Sequence, residues 1–358
     1  MKSYLPLVDV ITHICDALPR GLHEAVGQPR LTQVSHALPP FMALAGLEFR
    51  LADNNAQIDI GIAYSQADAV DLARFLTDAV ATEPAFSDNG WLQILSFART
   101  WSCLPDAAHI RYITIEIDIP ALLPTAPVPM VSFFMDDTHP FNGARVATAH
   151  ILSMFNANEL HRALTGRLWS CINALHPTDT WRGIGLMTNR CSEGVRLLLK
   201  MHRARVLPYL RTIGWRGPVD AVAVGLGALS SAGDEVTLYI DVGRDIGNRV
   251  GIGLLFLGNG RRFDGYSQKL KVLSLLVANG LCSAEKARAF QSLHKRPITA
   301  ENAVRPWPSA LTSRATEQVP HHLNSQFLHV AMAVKISYQG DLEPEAKLYS
   351  AISHHWLF

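Results

Sequence analysis

Polar residues, carboxylates among them, recur at every second residue in several short runs of this chain. In 111–119, Tyr112, Thr114, Glu116 and Asp118 alternate with Ile113, Ile115, Ile117 and Ile119. In 235–242, Glu235, Thr237, Tyr239 and Asp241 alternate with Val236, Leu238, Ile240 and Val242. In 57–64, Gln57, Asp59 and Gly61 alternate with Ile58, Ile60 and Ile62. Side chains at period two point to opposite faces of a strand, so each run carries one apolar face and one acid-bearing face. Carboxylates withdrawn from bulk water can serve as acid or base, or can dock a cationic or peptide substrate. The polar face also carries Gly46, Gly61, Gly183, Gly185, Gly251 and Gly253, together with Ala63, Ala331, Ala333, Phe134 and Tyr349. A solvated sheet face usually carries longer polar side chains. Small ones make room, which suits an enclosed chamber.

The runs come in pairs. Residues 45–51 and 57–64 flank Asp53-Asn54-Asn55, which is turn chemistry. The other pairs are 111–119 with 130–135, 183–189 with 195–202, 235–242 with 249–257, and 327–338 with 345–353 around Gly340-Asp341. Five hairpins supply ten antiparallel strands, enough to close a barrel. Between them the hydrophobic period changes to about 3.6, which predicts helices over 67–80, 90–101, 149–164, 166–174, 204–213, 219–230, 266–279 and 283–293. Ser283 suits an N-cap and Gly280 a C-cap. Trp91, Trp101 and Trp169 read as helix-to-barrel packing. The unit is one hairpin plus two helices per about 70 residues, longer than solenoid repeats. The expected fold is a single α/β domain, 1–358, with the barrel inside and the helices outside. The proline-bearing segment 296–320 is expected to be a surface loop or lid.

Composition narrows the function classes. With 48% hydrophobic and 18% charged residues the chain has material for a core, and its net charge of +1 with no basic run gives nucleic acid no purchase. The five cysteines are scattered singly with no CxxC, which fits a reducing cytoplasm. Asp9, His13 and Asp16 interrupt the N-terminal apolar stretch, so it is no signal peptide, and the small-apolar stretch at 221–232 is too short for a bilayer. Gly225-Leu226-Gly227 lacks a third glycine, and no GxSxG or HExxH occurs. No nucleotide or haem cofactor is expected. His321-His322 and His354-His355 are adjacent rather than spaced, His202 is a strand-end histidine, and Asp136-Asp137 reads as an Asx turn, so no resident metal site is expected.

The hairpin repeat, with Glu48 in Gly46-Leu47-Glu48-Phe49, Arg196 and Lys200 on one strand face, Tyr239 and Arg249 in the fourth hairpin, and Lys335, Lys347 and Tyr349 in the fifth, resembles the aromatic prenyltransferase (ABBA) barrel. The resemblance spans nearly the whole chain and is chiefly architectural. It implies transfer of a prenyl group from an allylic diphosphate to an aromatic acceptor, such as a peptide side chain, without nucleic-acid or membrane partners. Glu48 would orient the acceptor, with Glu116, Asp118 and Asp241 as further lumen acids. Arg50, Arg196, Lys200, Tyr239, Arg249, Lys335, Lys347 and Tyr349 would bind the donor. Arg196, Lys200, Lys335 and Lys347 would then converge within about 8 Å, the span of two phosphates. The chain departs from the family where cations are customary: Asp59, Asp118, Pro120 and Ser132 stand there instead. Mg²⁺ would offset the excess acid. The alternatives are a peptide-modifying enzyme that uses the lumen carboxylates without prenylation, and a non-catalytic barrel that binds a peptide.

Overall fold

Alternation at period two becomes strand throughout. β1 (Leu44–Arg50) and β2 (Ile58–Tyr64) form the first hairpin, and β3 (Ile110–Asp118) and β4 (Met130–Met135) the second. β5 (Thr180–Leu186) pairs with β6 (Val195–His202), and β7 (Glu235–Val242) with β8 (Ile246–Leu255). A two-residue strand, β9 (Ile298–Thr299), precedes the last and longest hairpin, β10 (Asn324–Gln339) and β11 (Leu342–Leu357). The computed structural model describes residues 5–23, 28–40, 44–52, 57–87, 89–103, 109–119, 128–135, 141–155, 160–186, 194–243, 245–256, 265–293, 297–308, 311 and 324–357.

Every strand pairs antiparallel with its neighbours, and β11 pairs with β1 as well as β10. The ten long strands therefore close into a barrel, with β9 added beside the start of β10. All five hairpin turns fall at one end and the longer connections at the other. At Gly340-Asp341 the loop is two residues long, and Gly340 supplies the positive φ (52°) that such a turn needs.

The isoleucine faces look outward into helices. Ile113, Ile115 and Ile117, with Leu238, Ile240 and Val242, are fully buried. Phe133 of β4 meets Phe97 and Phe155 edge-on at 5.0 and 5.6 Å, and Trp91 and Trp101 are sealed in the same layer. Each such side chain contributes about 1.5–3 kcal/mol of burial, which makes this layer the main adhesive of the fold.

Several boundaries differ from the sequence reading. The helices predicted at 149–164 and 166–174 are instead Phe141–Phe155 and Leu160–Asn173, because apolar residues continue the helical period on both sides of Thr165. β5 begins at Thr180, where Trp181 docks on Trp169 at 5.9 Å. The helices Leu7–Asp16 and Gln28–Ala37 were not anticipated. Ser283 caps its helix by accepting from the Lys286 amide, and Gly280 has a φ of 71°. Ala331 faces outward, contrary to expectation: a register shift between Ala331 and Ala333 flips the face, so that Ala331 pairs with Ser350 and Ala333 with Tyr349. Within 296–320, Thr299 pairs with Gln326, Arg305 bonds Asp16, and Trp307 packs on Phe327. This part lies against the outer side of β10; 309–310 and 312–320 lie outside the described residues, as do Asp136-Asp137 and His321-His322. Among the described residues no helix is long and apolar enough to cross a membrane.

Candidate active site in the barrel lumen

The inward faces of β1–β3 bring carboxylates together. Glu48 stands opposite Asp59 in the register, and Asp59 opposite Asp118. Like charges placed directly opposite one another repel, so cations must be supplied. Arg50 supplies the first, donating to Glu48 at 2.6 Å and to Asp59 at 2.5 Å, with Glu345 at 3.1 Å. Lys347 supplies the second, at 2.7 Å from Glu48 and 3.4 Å from Glu345. Lys286, reaching in from the helix Ala284–Ser292, donates to the carbonyls of Arg50 and Ala52 and so holds the end of β1.

The protonation states follow from this packing. Burial opposes the charge of Glu48, but Lys335, Lys347 and Arg50 together hold its carboxyl well below the usual carboxylate range. Asp59 is pushed up to about 6 by burial and by the charge of Glu48, against the pull of Arg50. Glu116 is also raised, chiefly by burial, although it accepts a 2.7 Å hydrogen bond from Ser132. This wall thus holds one firmly ionised acid, Glu48, beside two reluctant ones.

Across the lumen the balance reverses. Arg196, Arg249 and Lys335, with Tyr239, Asp241, Gly251 and Ser337, line a cavity of about 10 Å³, room for roughly one water molecule. Lys335 Nζ lies over the rings of both Tyr239 (5.1 Å) and Tyr349 (4.9 Å). Burial, with Lys347, Arg196 and Arg249 nearby, pulls Lys335 down to about 7 even though Glu48 favours its charge. Burial raises both phenols, which stay protonated as donors. Gly251 makes the space: a Cβ there would lie 3.1 Å from Lys335 Cδ and 3.3 Å from Tyr239 Cβ. Arg196 is gripped by Asp241 through two bonds of 2.6 and 2.9 Å. Tyr112 and Phe134 stack at 4.4 Å on the inner face and extend the aromatic lining.

Of the residues singled out from sequence, Arg196, Tyr239, Asp241, Arg249 and Lys335 converge on the cavity. Tyr349 joins them through Lys335. Arg50, Lys347 and Glu48 form the adjacent ion cluster instead. Lys200 does not join either group: it lies toward the other end of β6, 2.8 Å from the exposed Glu235, because that end of the strand opens to solvent. His202 is also exposed there and accepts from the Ala204 amide. Glu345, Lys286 and Ser337 were missed. Glu345 carries the same signal as its neighbours, since Glu345, Lys347 and Tyr349 alternate on one strand face. Lys286 carries none, because it reaches the lumen wall from a helix. Among the described residues no three His, Cys, Asp or Glu side chains form a metal-holding group.

No protein-family model matches the chain, and no curated protein matches it in sequence. Solved structures do match in shape. 5-Dimethylallyltryptophan synthase from Streptomyces coelicolor superposes with a TM-score of 0.51 at 14% identity, covering 96% of each chain. PriB in binary complex with product diphosphate gives 0.50 at 12% identity, covering 96% of this chain and 94% of that one. The prenyltransferase PriB in ternary complex with L-tryptophan and dimethylallyl thiolodiphosphate gives the same values.

Proposed function

We propose that this chain, whose fold is the closed ten-stranded barrel of ABBA-type aromatic prenyltransferases, transfers a prenyl group from an allylic diphosphate to an electron-rich aromatic acceptor. One observation carries the reading: three cations and a phenol, Arg196, Arg249, Lys335 and Tyr239, line one cavity inside the barrel. A departing diphosphate needs such a set, because donors aimed at developing negative charge lower the barrier most where water is excluded. PriB, whose fold is similar, has been solved in complex with product diphosphate.

In this reading the allylic C–O bond breaks and both its electrons leave with the diphosphate. The allylic carbon bonds to the acceptor ring, whose proton then leaves to the released diphosphate. Tyr239, Tyr349, Tyr112 and Phe134 present ring faces that stabilise a passing carbocation. Glu48, kept ionised by its cations, accepts a hydrogen bond from the acceptor and orients it. A Mg²⁺ ion would neutralise donor charge, and Asp241 is the cavity-lining carboxylate that could share it with the diphosphate. The acceptor class includes free tryptophan and aromatic side chains of peptides.

A thermal-shift titration with dimethylallyl, geranyl and farnesyl diphosphates, with and without Mg²⁺, tests this. A donor at 100 times its Kd adds about 2.7 kcal/mol of stability. Stabilisation followed by a prenylated aromatic product in mass spectra is the expected result. No stabilisation by any donor at millimolar concentration would end the reading.

A second reading, a non-catalytic barrel that binds a peptide, is favoured by the smallness of the cavity and by the carboxylates already seated on Arg50, Arg196 and Lys347. Donor binding without product from any aromatic acceptor would favour it.

A further inference from the structure

We infer that Asp241 occupies the anion cradle as a built-in competitor of the donor, and that this residue sets how tightly the site takes a diphosphate. The inference rests on the cradle proposed above. A guanidinium fork recognises a pair of oxygens, and a carboxylate and a phosphate present the same pair. The Asp241 carboxylate takes the Nε–Nη2 edge of the Arg196 guanidinium, at 2.6 and 2.9 Å, and itself lines the cavity. A diphosphate that reaches for that edge of Arg196 therefore meets a position already filled by an anion, and one that takes the other edge meets the Asp241 charge beside it.

The surroundings separate Asp241 from the other lumen acids. Glu48 is enclosed by Arg50 and Lys347, with a side chain 14% exposed. Asp241 touches Arg196 and is 26% exposed, beside the turn between β7 and β8. Asp241 is about twice as exposed as Arg196, at 12%, so of the pair the carboxylate is the one nearer to solvent. A displaced carboxylate that stayed near the diphosphate would repel it, so the exchange costs affinity unless the carboxylate swings out or loses its charge.

Removing that charge while keeping the shape tests the inference. Calorimetric titration of inorganic pyrophosphate into the full-length protein, with Mg²⁺ and with EDTA, compares wild type, Asp241→Asn, and Asp241→Asn combined with Arg196→Gln. The expected result is an affinity gain of about tenfold or more in Asp241→Asn, largest in EDTA and lost in the double variant. Equal or weaker binding by Asp241→Asn, against measurable binding by wild type, makes Asp241 a support that aims Arg196; it overturns the inference and leaves the cradle intact. Binding by none of the three proteins in either condition overturns both the inference and the cradle. Should Asp241→Asn misfold, as judged by circular dichroism, Asp241→Ser carries the same comparison.

Discussion

The two walls of the lumen are charged in opposite ways and stabilised in opposite ways. On β1–β3 the excess is acid, and it is held by Arg50 of β1 itself, which bridges Glu48, Asp59 and Glu345, and by Lys347 from β11, which adds a second link. On β6–β10 the excess is cationic. Lys335 lies between phenol rings, Asp241 sits on Arg196, and Glu235 pairs with Lys200 at the open end. The acid wall is nearly self-sufficient, so it gains little from a ligand. The cationic wall crowds Arg196, Arg249 and Lys335 around one cavity, and an anionic ligand would relieve their mutual repulsion. The difference teaches that buried charge need not mark binding; buried like charges gathered around one cavity are the better marker.

Breaking the acid wall should have the largest effect. Arg50→Gln leaves three carboxylates without their shared cation, Asp59 buried and Glu48 nearly so, and should cost about 3–5 kcal/mol in urea unfolding. A loss below about 1 kcal/mol would mean that these acids protonate or rehydrate freely, and the contrast between the walls would collapse. Crowding the cationic wall should cost less. In Gly253→Ala the new Cβ would lie 2.9 Å from Tyr239 Cε2, so the ring must shift. The expected cost is about 1 kcal/mol of stability, with a clear drop in pyrophosphate affinity. Unchanged affinity would separate Tyr239 from the anion site.

The most gradual effects are slopes in pH, each at most about 1.4 kcal/mol per pH unit. Asp59 titrates near 6 in the folded chain, against about 3.9 unfolded. The folded state therefore holds its proton more tightly, and Asp59 makes stability fall as pH rises from about 4 to 6. Lys335 titrates near 7, against about 10.4 unfolded. Here the unfolded state holds the proton more tightly, so Lys335 makes stability rise between about pH 7 and 10. Melting curves of Asp59→Asn should lose the first slope and keep the second, and Lys335→Met should do the reverse. Parallel changes in both variants would show that the two walls titrate as one network.

Much of this was legible from residue order alone. Strict alternation in 111–119 and 235–242 determines which side chains share a face, because the period of a strand is two. Five paired runs separated by helical sequence then specify hairpins, an apolar outer face and a polar inner one. Alternation could not reveal the shift between Ala331 and Ala333, since a bulge changes face without changing composition. Nor could it tell Lys200 from Arg196: both point inward on β6, but only the position along the closed barrel puts one beside Asp241 and the other beside Glu235 at an open end. Charge pairing and protonation were decided by the tertiary structure alone. Arg50 and Glu345, or Lys335 and the two phenols, meet only after strands far apart in the chain close the ring. Electrostatic energy depends on distance and burial, and neither exists until the barrel is closed.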